Sequence, residues 1–202
     1  MESVASMLNT GRSLIDAHRR GDPEAFPQLL HRYGSVVLGY LIKMSGNREQ
    51  AEDFFQETFK RVHEKAHTFR GSRFESWLFR IATNVALDGL RRQKRLPVVS
   101  LEQKFDCNDG NCGGLNDIAV ADNQGNPSRE AIKAEQAEKV RQAVWMLPAR
   151  QRATLALAYY QQLSYREVAE VLGCSVSTVK TQMYRALKTL ARKLPDFGGE
   201  IK

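Results

Sequence analysis

No run of apolar residues in this 202-residue chain approaches the ~18 needed to cross a bilayer. The first residues do not pair a basic start with a long apolar stretch, which excludes a secretory leader and places the expected compartment in the cytoplasm with no direct membrane insertion. Cysteine is scarce: three residues cannot staple a fold of this length, so a disulfide framework is excluded. Alternating β-branched residues are almost missing, which argues against strands. No internal repeat occurs. Acidic residues are in deficit, 23 against 30 Lys and Arg, and the net charge of +7 points to a polyanionic partner, either nucleic acid or an acidic membrane surface.

What is present is helical periodicity in two blocks. Phe26, Leu29, Leu30, Tyr33, Val36, Val37, Tyr40 and Leu41 recur at helical spacing. Gly46-Asn47 reads as a turn, and helices are expected over 53–69 and 74–95. Residues 98–128 are rich in Asn, Asp and Gly and poor in large apolar residues, too little to repay ordering, so they read as a flexible linker. Ser128 is a candidate N-cap for the helices that follow, and Pro195 with Gly198-Gly199 ends them. Charge follows the same division: residues 1–97 hold 16 basic and 11 acidic side chains, 98–128 one and five, 129–195 twelve and five. The expected fold is all-α, with a tail over 1–12, a helical domain over 13–97, the acidic linker over 98–128, a second helical domain over 129–195 and a short tail over 196–202.

The second domain carries the sharpest local signal, the run from Tyr165 to Tyr184. Ser164 with Glu167 three residues on is a capping box that fixes a helix start. Val168, Ala169 and Leu172 form its inner face, and Gly173 allows the left-handed turn that ends it. Ser175 can cap a second helix whose apolar stripe is Val176, Val179, Met183, Leu187 and Leu190. Its other face carries Ser177, Thr178, Lys180, Thr181, Tyr184, Arg185 and Lys188, and residues 176–193 hold five basic groups and no acid. This pattern is a helix-turn-helix whose second helix would enter a major groove. Its long polar side chains would reach base edges while Lys188, Arg192 and Lys193 meet phosphates.

The first domain identifies the kind of DNA-binding protein. Asp53-Phe54-Phe55-Gln56-Glu57-Thr58-Phe59 resembles the second conserved region of sigma-70 family RNA polymerase sigma factors, of the small extracytoplasmic-function (ECF) type. Phe69-Arg70-Gly71 with the run Trp77 to Asn84 resembles the promoter-melting segment, Asp88 to Arg95 its basic extension, and Leu147-Pro148 through Leu187 the fourth region. Both blocks occur in the family's order. The resemblance implies a factor that directs core polymerase to promoters in a stress or envelope response, with no chemistry of its own and no cofactor or metal. It assigns Asp53, Gln56 and Glu57 to the clamp helices of the polymerase's largest subunit. Phe69, Arg70, Gly71, Asn84, Arg91 and Arg92 fall to the minus-ten element and its melted non-template strand, where rings and guanidinium planes stack on bases. Ser177, Thr178, Lys180, Thr181, Tyr184, Arg185 and Lys188 fall to the duplex minus-thirty-five element. An anti-sigma factor is an implied partner.

Three signals point elsewhere. A stand-alone helix-turn-helix regulator would share the second domain but leave Asp53–Phe59 and Trp77–Asn84 without a purpose. His63-Glu64-Lys65-Ala66-His67 matches the zinc-protease pattern H-E-x-x-H, in which two imidazoles share a helix face, but no third ligand follows at a familiar spacing. It reads as coincidence on a solvated face, and Trp77 reads as core. Cys107 and Cys112 in the linker lie at no standard zinc spacing, and Cys174 reads as core.

Overall fold

The computed structural model describes residues 4–71, 73–95 and 127–194, and every regular element among them is helical. The first group is α1 (Val4–Arg19), α2 (Ala25–Ser45), α3 (Arg48–Lys65), a 3₁₀ turn (Ala66–Thr68) and α4 (Phe74–Arg95). The second is α5 (Pro127–Trp145), α6 (Ala149–Leu155), a π-helical turn (Ala156–Tyr160), α7 (Tyr165–Leu172) and α8 (Val176–Lys193). None of these helices is long and apolar enough to cross a membrane.

Two boundaries differ from expectation. Helix α1 begins at Val4, inside the segment expected as a tail. Its Asn, Thr, Gly and Ser residues favour a helix little, but Ile15 is fully buried in the core, and tertiary packing overrides weak propensity. Helix α5 opens at Pro127, so a proline sits in the first turn where its missing N–H costs nothing, and Ser128 lies inside the helix. The rest of the expected linker lies outside the described residues.

Elsewhere the local chemistry shows directly. Gly46 ends α2 in the left-handed region (φ 71°), its N–H bonded to the Ile42 carbonyl, and Asn47 caps α3 by accepting from the Gln50 N–H at 3.1 Å. The two-residue turn folds α3 back on α2. Leu29, Val37, Leu41 and Met44 of α2, Val62 of α3 and Phe74, Leu78 and Ala82 of α4 are inaccessible to solvent. Tyr40, also fully buried, shares a 2.7 Å hydrogen bond with Thr83 on α4, so its hydroxyl is satisfied inside the core.

The second group does not stand apart from the first. Its Trp145 ring lies so close to Gly46 that a Cβ there would come within 2.6 Å of the indole. Lys43 of α2 points its ammonium at the Tyr160 ring, 4.7 Å from the centroid. Arg152 lies over the Trp145 ring at 4.0 Å and donates to the Trp145 carbonyl at 2.6 Å. It is only 4% exposed and has no carboxylate partner among the described residues, so burial draws its pKa down to about 10. Helix α7 lies along α4, and Arg73 forms an ion pair with Glu167. One apolar core therefore runs through both groups, and a small cluster of Leu147, Leu155, Met183 and Ala186 belongs to the second alone.

Candidate nucleic-acid interface

Helices α7 and α8 are set by their caps. Ser164 accepts from the Glu167 N–H at 3.4 Å, and the Glu167 carboxylate accepts from the Ser164 N–H at 2.8 Å, closing the capping box. Burial alone would raise the Glu167 carboxyl, but the Ser164 N–H and hydroxyl and the Arg73 guanidinium outweigh it and hold the pKa below the usual range. Gly173 turns the chain in the left-handed region (φ 61°), and Ser175 accepts from the Thr178 N–H at 3.1 Å to start α8.

Helix α8 buries Val179, Met183 and Ala186 and leaves Ser177, Thr178, Lys180, Thr181, Tyr184, Arg185 and Lys188 exposed. The stripe that turns inward is therefore 179, 183, 186 and half-buried Leu190. Leu187 lies about 100° round from Ala186 at 3.6 residues per turn and is 48% exposed, and Val176 is also exposed, against the expected apolar stripe. The exposed face is thus broader than expected, with Leu187 between Tyr184 and Lys188. The Lys188 ammonium stands 6.0 Å from the Tyr184 ring centroid, and the Thr181 hydroxyl donates to the Ser177 carbonyl at 3.0 Å.

The loop before α4 departs from expectation at one aromatic ring. Phe69 is 3% exposed, its ring edge-on to Phe74 (5.9 Å) and Trp77 (5.4 Å), and it has no free face for a base in this conformation. Trp77, read from sequence as core, is half-buried and packs against the core. Arg70, Gly71, Asn84, Arg91 and Arg92 are exposed, and Arg91 also pairs with Asp88 at 3.2 Å. On α4, Trp77, Arg80, Asn84 and Arg91 are spaced by three, four and seven residues and share one face. Arg80 is exposed and was not singled out from the sequence; its place on the Trp77–Asn84 face was the signal that could have found it.

On α3, Asp53 and Gln56 are exposed, whereas Glu57 is half-buried and ion-paired with Arg61 at 2.6 Å. Helix α3 ends at Lys65, so His67 falls on the 3₁₀ turn rather than one helical turn beyond His63. The two histidines of the H-E-x-x-H pattern therefore lie on different elements, and among the described residues no three His, Cys, Asp or Glu side chains converge. Cys174 is a half-buried free thiol against the core, and Cys107 and Cys112 lie outside the described residues.

These two exposed faces coincide with two family models. The model for sigma-70 region 2 matches residues 29–96, and that for sigma-70 region 4 matches residues 137–190. The ECF RNA polymerase sigma factor SigW of Bacillus subtilis is 31% identical over 179 residues, 88% of this chain and 93% of the relative. This chain is a sigma factor of the sigma-70 family, of the ECF type. The RNA polymerase sigma-H factor of Pseudomonas aeruginosa is also 31% identical, over 91% of this chain and 93% of that one. Among solved structures, the sigma factor RpoE in complex with the anti-sigma factor NepR from Bartonella quintana superposes with a TM-score of 0.61 at 25% identity, covering 84% of this chain and 96% of that one. The region 2 match begins inside α2, so α1 of this sigma factor lies outside both models. The reading as a free-standing regulator is set aside by the family.

Proposed function

We propose that this sigma factor binds core RNA polymerase through Asp53, Gln56 and Glu57 on α3, captures melted non-template bases beside the 69–84 segment and reads the minus-thirty-five duplex with α8. The observation that carries the reading is α8 itself. Three buried residues fix its back, a serine cap fixes its start, and its outer face is basic without a single acid. Lys180, Thr181, Tyr184 and Arg185 lie in the part that would face base edges, and Lys188 with Arg192 would meet phosphates farther along.

At the melted strand, Trp77 supplies the stacking ring, with Arg70, Gly71 and Asn84 beside it and Arg80, Arg91 and Arg92 as phosphate contacts. Phe69 acts from beneath by holding Trp77 and Phe74 in place. The two promoter elements lie about 25 base pairs apart, roughly 85 Å at ~3.4 Å per base pair. A helix-turn-helix resting on α4 cannot reach both, so the Arg73–Glu167, Lys43–Tyr160 and Trp145–Gly46 contacts separate when the factor spreads over a polymerase. The phosphodiester chemistry is the polymerase's, and this sigma factor contributes no catalytic group. It works in the cytoplasm, and an anti-sigma factor is a partner, as one is for the Bartonella quintana factor.

The test is initiation by reconstituted holoenzyme on promoters randomised across the minus-thirty-five element. Arg185→Ala should cost about 1–3 kcal/mol and relax the preference at one or two base pairs. Lys188→Ala should weaken all promoters alike and flatten the salt dependence. A preferred sequence unchanged by Arg185→Ala but altered by Lys188→Ala would mean that α8 is rotated differently in the groove.

A further inference from the structure

We propose that His18 and His63 form a two-imidazole site for a divalent late first-row transition ion such as Zn²⁺ or Ni²⁺, joining α1 to α3. This inference is independent of the promoter-reading surfaces. His18 lies in the last turn of α1 and His63 in the last turn of α3, and their ring centroids are 4.9 Å apart with the planes inclined at 49°. A metal–nitrogen bond of about 2.0–2.1 Å puts each ring centroid ~3.2 Å from the ion, and an N–metal–N angle between about 90° and 110° then separates the centroids by roughly 4.5–5.2 Å. The observed centroid spacing of 4.9 Å falls inside that window.

The chemistry of the pair agrees with its spacing. Among the described residues neither ring has a hydrogen-bond or ion-pair partner, so the ring nitrogens are not committed elsewhere. Both rings sit against Phe26, at 5.0 Å for His18 and 5.5 Å for His63, which gives the pair a firm apolar seat. No carboxylate or thiolate joins the two imidazoles among the described residues, so water completes the coordination. That donor set favours nitrogen-preferring ions over Mg²⁺ or Ca²⁺, which take oxygen ligands. The half of the H-E-x-x-H motif that the protease geometry lost is here turned toward a different helix.

The experiment uses the full chain with Cys107→Ser and Cys112→Ser, so that the two thiols of the 98–128 segment cannot compete for the ion. Zn²⁺ is titrated calorimetrically, and the imidazole nitrogens of the four histidines are followed by NMR. The expected result is one saturable site per chain, a rise in Tm with Zn²⁺, and nitrogen shifts at His18 and His63 but not at His31 or His67. His18→Phe and His63→Phe keep a ring on Phe26 but remove the donor, so each should retain the metal-free Tm and lose the Zn²⁺ response. Absence of saturable binding would overturn the site, as would shifts confined to His31 or His67, or binding that survives both Phe variants.

Discussion

The helix-turn-helix and the loop before α4 are built in opposite ways. In the first, each fixing interaction joins residues three or four positions apart: Ser164 with Glu167, Gly173 with Ala169, Ser175 with Thr178. In the second, the fixing interactions are rings and hydroxyls brought from afar. Tyr33 of α2 packs on Phe74 at 5.0 Å and donates to Glu75 at 2.9 Å, 42 residues away, and Phe69 lies under Trp77. A helix-turn-helix can therefore be specified by a short sequence, whereas the loop before α4 needs the whole first group folded beneath it. The first group also carries the weight of the core, and the second leans on it through Trp145, Tyr160 and Glu167.

That contrast makes its largest prediction at Phe69. Replacing a ring buried this deeply should cost about 3–5 kcal/mol of stability, measurable by chemical denaturation, and promoter melting should fail only as a consequence. An unchanged denaturation midpoint with lost strand capture would place Phe69 at the surface and restore it as the stacking ring. Trp77→Ala should act in the other sense. Open-complex formation should weaken by about 1–3 kcal/mol, the worth of one base stacked on an aromatic ring. Permanganate footprinting of the melted strand, with duplex binding as control, separates these outcomes.

Ser164→Ala removes one local cap and should destabilise the second group by about 1 kcal/mol, read as a shift in thermal unfolding. Minus-ten capture should be untouched by it, since nothing in the loop depends on that cap beyond the Glu167–Arg73 pair. The smallest effect on folding is expected at α3. Asp53→Ala and Gln56→Ala should each cost no more than ~0.5 kcal/mol because both are exposed, while their combination with Glu57→Ala weakens competition for core polymerase. Full competition by the triple variant would remove that surface from the proposal. A folding loss confined to Glu57→Ala would trace to its pairing with Arg61.

The legibility of the candidate site follows the same division. Lys180, Thr181, Tyr184 and Arg185 stand on the solvent face of α8 as the pattern required, since a helix with one apolar stripe has little choice about its other side. Leu187 departs from the expected stripe because stripes drawn at spacings of three and four can pass on either side of the true axis, and only the packing against α6 turns Ala186 rather than Leu187 inward. Arg80 escaped notice because a lone exposed arginine on a helix carries no signal until Trp77 beside it is known to be partly open. His18 and His63 are 45 positions apart in the chain, and no local pattern could have paired them.

Helix boundaries at Gly46, Ser164, Gly173 and Ser175, the one-signed face of α8 and the family itself were all written in the chain, because caps, periodicity and charge act within a few residues. Which of two neighbouring rings is buried, that α1 begins at Val4, and that two expected domains share one core were decided only by tertiary structure. Burial depends on what residues distant in the chain bring to the same place, and Phe69, Ile15 and Trp145 have no local signature of what covers them.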